Sequence, residues 1–72
     1  MFGARLKELR LEKDMTQAEL GNILNLSQRS ISQYEIGIRF PDEATINAIA
    51  TFFDVTTDFL FGRTKIKNIY KF

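Results

Sequence analysis

The 72-residue chain contains no cysteine and no histidine. Disulfides, thiol nucleophiles, imidazole acid–base chemistry and the common zinc ligand sets are thereby excluded together. No paired carboxylates suggest a shared cleft, so nothing supplies a nucleophile or a tuned proton donor. An enzyme is not expected, and neither a cofactor nor a metal site is. No apolar run approaches the ~18 residues of a membrane span, and the N-terminus lacks a signal-peptide core. These absences suit a cytoplasmic protein.

A dominant charge is also missing. Ten Lys and Arg stand against nine Asp and Glu, for a net +1. The distribution is uneven: the last ten residues carry Arg63, Lys65, Lys67 and Lys71 with no acid, whereas 36–62 set Arg39 against Asp42, Glu43, Asp54 and Asp58. A near-neutral total leaves nucleic-acid binding open, because one basic face is sufficient. The length fits one small domain, able to bury about 60% of its unfolded surface and therefore of marginal stability. Its hydrophobic content, 44%, is ordinary for a folded chain.

Sustained strand-like alternation is absent, as are internal repeats, and five short helical segments can be read before Gly62, the tail 63–72 being too short to assign. Phe2, Leu6 and Leu9 form one stripe of a helix over about 3–13. Thr16 with Glu19 three residues on is a capping box, opening a helix whose inward face is Leu20, Ile23 and Leu24. Asn25 tolerates the left-handed conformation that ends it. Ser27 caps a third helix running to about Glu35, and Gly37 breaks the chain. Asp42 caps a fourth, with Ile46, Ile49, Ala50 and Phe53 at i, i+3, i+4 and i+7. Thr56 caps a short fifth helix holding Leu60 inside, and Gly62 ends it. The expected fold is all-α, a compact five-helix bundle, with a domain over 1–62 and a basic tail or linker over 63–72.

The second and third helices, in TQAELGNILNLSQRSISQYE (16–35), start only eleven residues apart. So short a connection forces them to cross steeply, as in a helix-turn-helix. Gly21 supplies the missing side chain where the third helix passes over, at a helix-propensity cost of roughly 1 kcal/mol against Ala. Leu20, Leu24, Leu26, Ile31 and Tyr34 make the shared apolar seam. The third helix is otherwise coated by Gln28, Arg29, Ser30, Ser32 and Gln33, a neutral hydrogen-bonding face rather than a Lys/Glu mixture.

These residues, with YEIGIRFP (34–41) and DVTTDFL (54–60), resemble the phage-repressor type of helix-turn-helix, the XRE-like family of Cro and repressor proteins. The resemblance covers about residues 3–62. It implies a lambda-repressor-like fold and sequence-specific binding of double-stranded DNA by a transcriptional regulator, a repressor. It implies that Gln28, Arg29, Gln33 and Ser30 address bases, with Ser32 lying partly against the fold. Gln and Arg suit that task, since they can bond bidentately to adenine and guanine edges. It implies backbone contacts from the Gln17 amide, from Arg39 and the amides near Phe40, and from Arg10. It places the Gln17 side chain where it would buttress Gln28, and pairs Arg10 with Glu35. Three positions depart from the family pattern. Asn25 replaces a common glycine, Gly21 a common alanine, which should loosen helix 2, and Phe40 is bulkier than usual.

The nine Phe and Tyr residues raise a further expectation. With Phe53 and Leu60 inward, helical geometry sets Phe52 and Phe59 at least partly outside, and clustered exposed aromatics suit a partner surface. Family dimers often meet near helix 5, which suggests a homodimer through Phe59, Phe61 and the Ile66–Phe72 tail. Its two protomers would address operator half-sites roughly 34 Å apart. The alternative is that these rings thicken a small core. Two other functions stay open at this point: an antitoxin or restriction-controller protein using the same module, and a protein-interaction helical domain.

Overall fold

Four of the five helices begin at a residue whose side chain captures an otherwise orphaned amide. In the computed structural model, which describes residues 1–68, the elements are α1 (Phe2–Glu12), α2 (Gln17–Leu24), α3 (Gln28–Ile36), α4 (Glu43–Phe53) and α5 (Thr57–Leu60). No strand occurs among the described residues. Thr16, Ser27, Asp42 and Thr56 accept from the backbone N–H of Glu19, Ser30, Thr45 and Phe59. The Thr16 amide in turn donates to Glu19 Oε1 at 2.8 Å, completing the capping box. Bonds from the Thr16 amide and then its hydroxyl hold the Glu19 carboxyl below its ordinary range. The Thr45 side chain, then its amide, does the same for Asp42.

Asn25 (φ 62°) and Asp54 (φ 55°) end α2 and α4 in the left-handed region, and Gly37 (φ 92°) ends α3. Asn25 and Asp54 turn the chain so that the next helix follows after a short turn, whereas a longer loop runs from Gly37 to α4. The fully buried side chains come from all five helices: Leu6, Leu20, Ile31, Ile49, Phe59 and Leu60.

Two inward and outward assignments made from periodicity need correction. Ile23 is 52% exposed. The buried face of α2 is centred between Leu20 and Gly21, because α3 crosses at Gly21, and Ile23 lies about 110° round the helix from that centre. Phe59, expected at a dimer surface, is 2% exposed. Because α5 is a single turn, α1 closes over both Phe59 and Leu60, and the Arg5 guanidinium sits 4.2 Å from the Phe59 ring centre. Phe52 is half-buried, its ring 4.9 Å from that of Phe53.

Past α5 the chain folds back on the bundle. The Thr56 amide donates to Lys67 O at 2.8 Å, the Lys67 ammonium reaches Glu12 at 2.7 Å, and Asn68 donates to Asp54. The remainder of the tail invoked for dimerisation, 69–72, lies outside the described residues.

Candidate nucleic-acid interface

The close approach of α2 and α3 is set at Gly21, where a Cβ would fall 2.6 Å from the Leu26 carbonyl oxygen. The left-handed Asn25 then turns the chain so that Leu26 N–H reaches Gly21 O at 2.7 Å. Ile31 and Tyr34 anchor α3 in the core. With those two inside, the helical repeat turns Gln28, Arg29, Ser32 and Gln33 outward. Gln28 and Arg29 are exposed, while Ser32 and Gln33 are partly covered at their flanks.

Ser30 does not join that face. It shares the buried side of α3 with Tyr34, one turn on, and is 9% exposed. Its Oγ accepts from Ser27 Oγ at 3.1 Å and from Arg39 Nη1 at 3.0 Å. In the free chain its hydroxyl is thus occupied by Ser27 and Arg39 rather than presented with Gln28 and Arg29.

Behind the face, three helices meet at one carboxylate. Arg10 Nε donates to Glu35 Oε2 at 2.7 Å and Arg10 Nη2 to Oε1 at 3.0 Å, a bidentate pair with side chains 9% and 3% exposed. Arg10 Nη1 donates to Met15 O at 2.7 Å, at the start of the turn into α2. Hydrogen bonding to Glu35 raises the Arg10 pKa, against the lowering effect of burial, and the charge of Glu35 adds to the rise. With every guanidinium nitrogen engaged internally, Arg10 is a structural tie between α1, the turn into α2 and α3. The Gln17 side chain joins the same carboxylate, its Nε2 donating to Glu35 Oε1 at 3.1 Å. The Gln17 backbone amide sits at the first position of α2, where helix geometry offers no intrahelical acceptor.

The connection from α3 to α4 is pinned at both sides. Phe40, 59% exposed, lays its ring 5.2 Å from Phe2 and 5.8 Å from Phe61, on the outside of the bundle. Arg39 folds the other way, its guanidinium 5.5 Å from the Tyr34 ring centre. Sequence reasoning overlooked three of these links: the aromatic trio, the Ser27–Ser30–Arg39 chain and the Gln17–Glu35 bond. The placement of Ser30 was available from helical phase, since it falls four residues before Tyr34. The aromatic trio depends on the path of the loop that carries Phe40, and the Gln17–Glu35 bond on how α2 docks against α3.

A family model described as helix-turn-helix matches residues 6–60. The chain belongs to the helix-turn-helix family of phage-repressor type. Within that family it is 36% identical over 65 residues to the HTH-type transcriptional regulator ImmR of Bacillus subtilis (strain 168), covering 90% of this chain and 51% of ImmR. It is also 36% identical over 64 residues to YonR, an SPbeta prophage-derived uncharacterized HTH-type transcriptional regulator of the same strain, covering 89% of this chain and 59% of YonR. The chain thus spans about half the length of these curated relatives. The crystal structure of the P22 c2 repressor protein in complex with synthetic operator 9T superposes with a TM-score of 0.79 at 27% identity, covering 83% of this chain and 91% of that one. The helix-turn-helix fold of five helices is therefore shared with a repressor captured on operator DNA. Among the described residues no helix is long and apolar enough to cross a membrane.

Proposed function

We propose that this helix-turn-helix protein is a sequence-specific double-stranded DNA-binding regulator of transcription that acts as a repressor in the cytoplasm. The observation that carries this reading is the outward face of α3. Gln28, Arg29 and Gln33 project from a helix whose back is locked by Ile31, Tyr34 and the Glu35 tie, leaving hydrogen-bonding groups aimed at solvent. Two relatives named as transcriptional regulators and a structural neighbour solved with operator support it.

In this reading α3 lies in the major groove. Gln28, Arg29 and Gln33 discriminate bases at roughly 1–3 kcal/mol for each good bidentate pair. The Gln17 amide, Arg39 and the backbone near Phe40 set register on phosphates, without sequence information of their own. Two copies associate, so that paired half-sites are read one helical turn apart. Support for association comes from the apolar surface left by the α3–α4 connection: Ile36, Ile38 and Phe40 are all exposed, beside a half-buried Phe61.

Binding of a fluorescent mixed-sequence duplex, followed by anisotropy across a salt series, tests the general claim. Affinity falling linearly in log–log form, with a slope set by the phosphates neutralised, is the expected result. Absence of duplex binding at low salt contradicts it.

A further inference from the structure

We infer that Ser30 is a positioning residue for Arg39, holding its guanidinium as a preformed phosphate clamp at the N-terminal end of α3; this rests on the DNA-binding reading above. Three features of the structure support it. Ser30 Oγ, nearly buried, has Arg39 Nη1 3.0 Å away and Ser27 Oγ at 3.1 Å. Ser27 Oγ in turn accepts the Ser30 amide at 3.0 Å, so the acceptor is fixed by the helix cap itself. The same guanidinium lies 5.5 Å from the centre of the Tyr34 ring, whose side chain is part of the core.

An arginine on a six-residue loop between helices would ordinarily sample many rotamers. Here one nitrogen is held by a hydroxyl and the carbon rests over an aromatic face, while the guanidinium retains further N–H groups for an anion. Tyr34 and Ser30 lie on the same side of α3, one turn apart, so Arg39, itself exposed, is laid along that side of the helix. The cap of the recognition helix and the clamp on the backbone thereby become one unit: Ser27 orients Ser30, and Ser30 orients Arg39. Such an arrangement lowers the ordering cost of contact. Immobilising a rotamer-rich side chain before binding is worth about three- to ten-fold in affinity.

Full-chain wild type, Ser30→Ala, Arg39→Ala and the double variant are to be compared on a 20-base-pair mixed-sequence duplex, with circular dichroism establishing that each is folded. Ser30→Ala should weaken binding about three- to ten-fold when Arg39 is present and leave affinity unchanged when Arg39 is already Ala. Arg39→Ala should also reduce the salt slope by about one, whereas Ser30→Ala keeps it. Equal loss from Ser30→Ala in both backgrounds, or no loss in either, overturns the inference while leaving DNA binding intact. Failure of the wild type to bind duplex overturns both readings together. Should Ser30→Ala not fold, ¹⁵N relaxation at the Arg39 side-chain Nε in the free wild-type protein decides the matter. An ordered Nε supports the clamp, and one as mobile as that of exposed Arg29 removes it.

Discussion

Gly21 of α2 and the carbonyl of Leu26 are in such close register that a Cβ on residue 21 would stand 2.6 Å from that oxygen. Real side chains do not sit at that distance from backbone. The crossing of α2 and α3 therefore depends on glycine, and the tightness of this contact replaces the looseness that glycine in a helix suggests. Gly21→Ala gains roughly 1 kcal/mol of helix propensity and loses about 1–3 kcal/mol to overpacking. The net expectation is destabilisation, read as a fall of several degrees in the thermal midpoint. A raised midpoint would show that α3 can move away without cost.

Glu35→Ala leaves the Arg10 guanidinium buried without its carboxylate and also strips the Gln17 amide of its acceptor. Breaking a buried pair from one side costs on the order of 3 kcal/mol, a large share of the stability of a small domain. Replacing both Arg10 and Glu35 by leucine should recover much of that loss, since no stranded charge remains. Urea titrations of the single and double variants measure the difference. Equal destabilisation by both would show that the pair contributes more than the relief of its own burial.

The helices, their caps and the tight pair were legible because local chemistry sets them. Thr16, Ser27, Asp42 and Thr56 each hold the amide three residues ahead, a contact that needs no knowledge of the rest of the fold. What escaped the sequence was the phase of faces decided by neighbours. Ile23 looks inward by spacing, yet the inward face rotates toward Gly21 once α3 is docked there. Phe59 looks outward by spacing, yet a one-turn α5 tucks under α1. The site shows the same division. Gln28 and Arg29 sit on the exposed side as the pattern requires, whereas the roles of Ser30, Arg10 and the Gln17 side chain follow from partners 9, 25 and 18 residues away in the chain.

Acid should unfold the protein partly through its caps. The Glu19 and Asp42 carboxyls titrate below their ordinary values of 4.5 and 3.8 in the folded state, because they accept hydrogen bonds there. The unfolded chain then binds more protons in the acid range, so this stabilisation is complete above those ordinary values. It is lost as pH falls through the depressed folded values. Asp42→Asn keeps a capping acceptor but cannot titrate, and its denaturation midpoint should fall less steeply than that of the wild type as pH drops below about 3.8. Parallel acid limbs for the two proteins would remove Asp42 from the account.

Ile38, 71% exposed on the α3–α4 connection, separates folding from self-association. Ile38→Glu should leave the thermal midpoint within the small range of surface changes, about 0.5 kcal/mol. The same charge placed in an apolar interface should abolish dimers seen by sedimentation at high micromolar concentration. A wild-type protein that stays monomeric both alone and on DNA would remove this surface from consideration.

Selection of bound duplexes from a random pool bears most directly on the central assignment, that α3 reads base edges. Wild type should enrich one motif of paired half-sites about one helical turn apart, and Gln28→Ala should relax preference at a single base pair of each half-site while the rest of the motif persists. A pool that stays random under wild-type selection, or a motif untouched by changes at Gln28, Arg29 and Gln33, would contradict it.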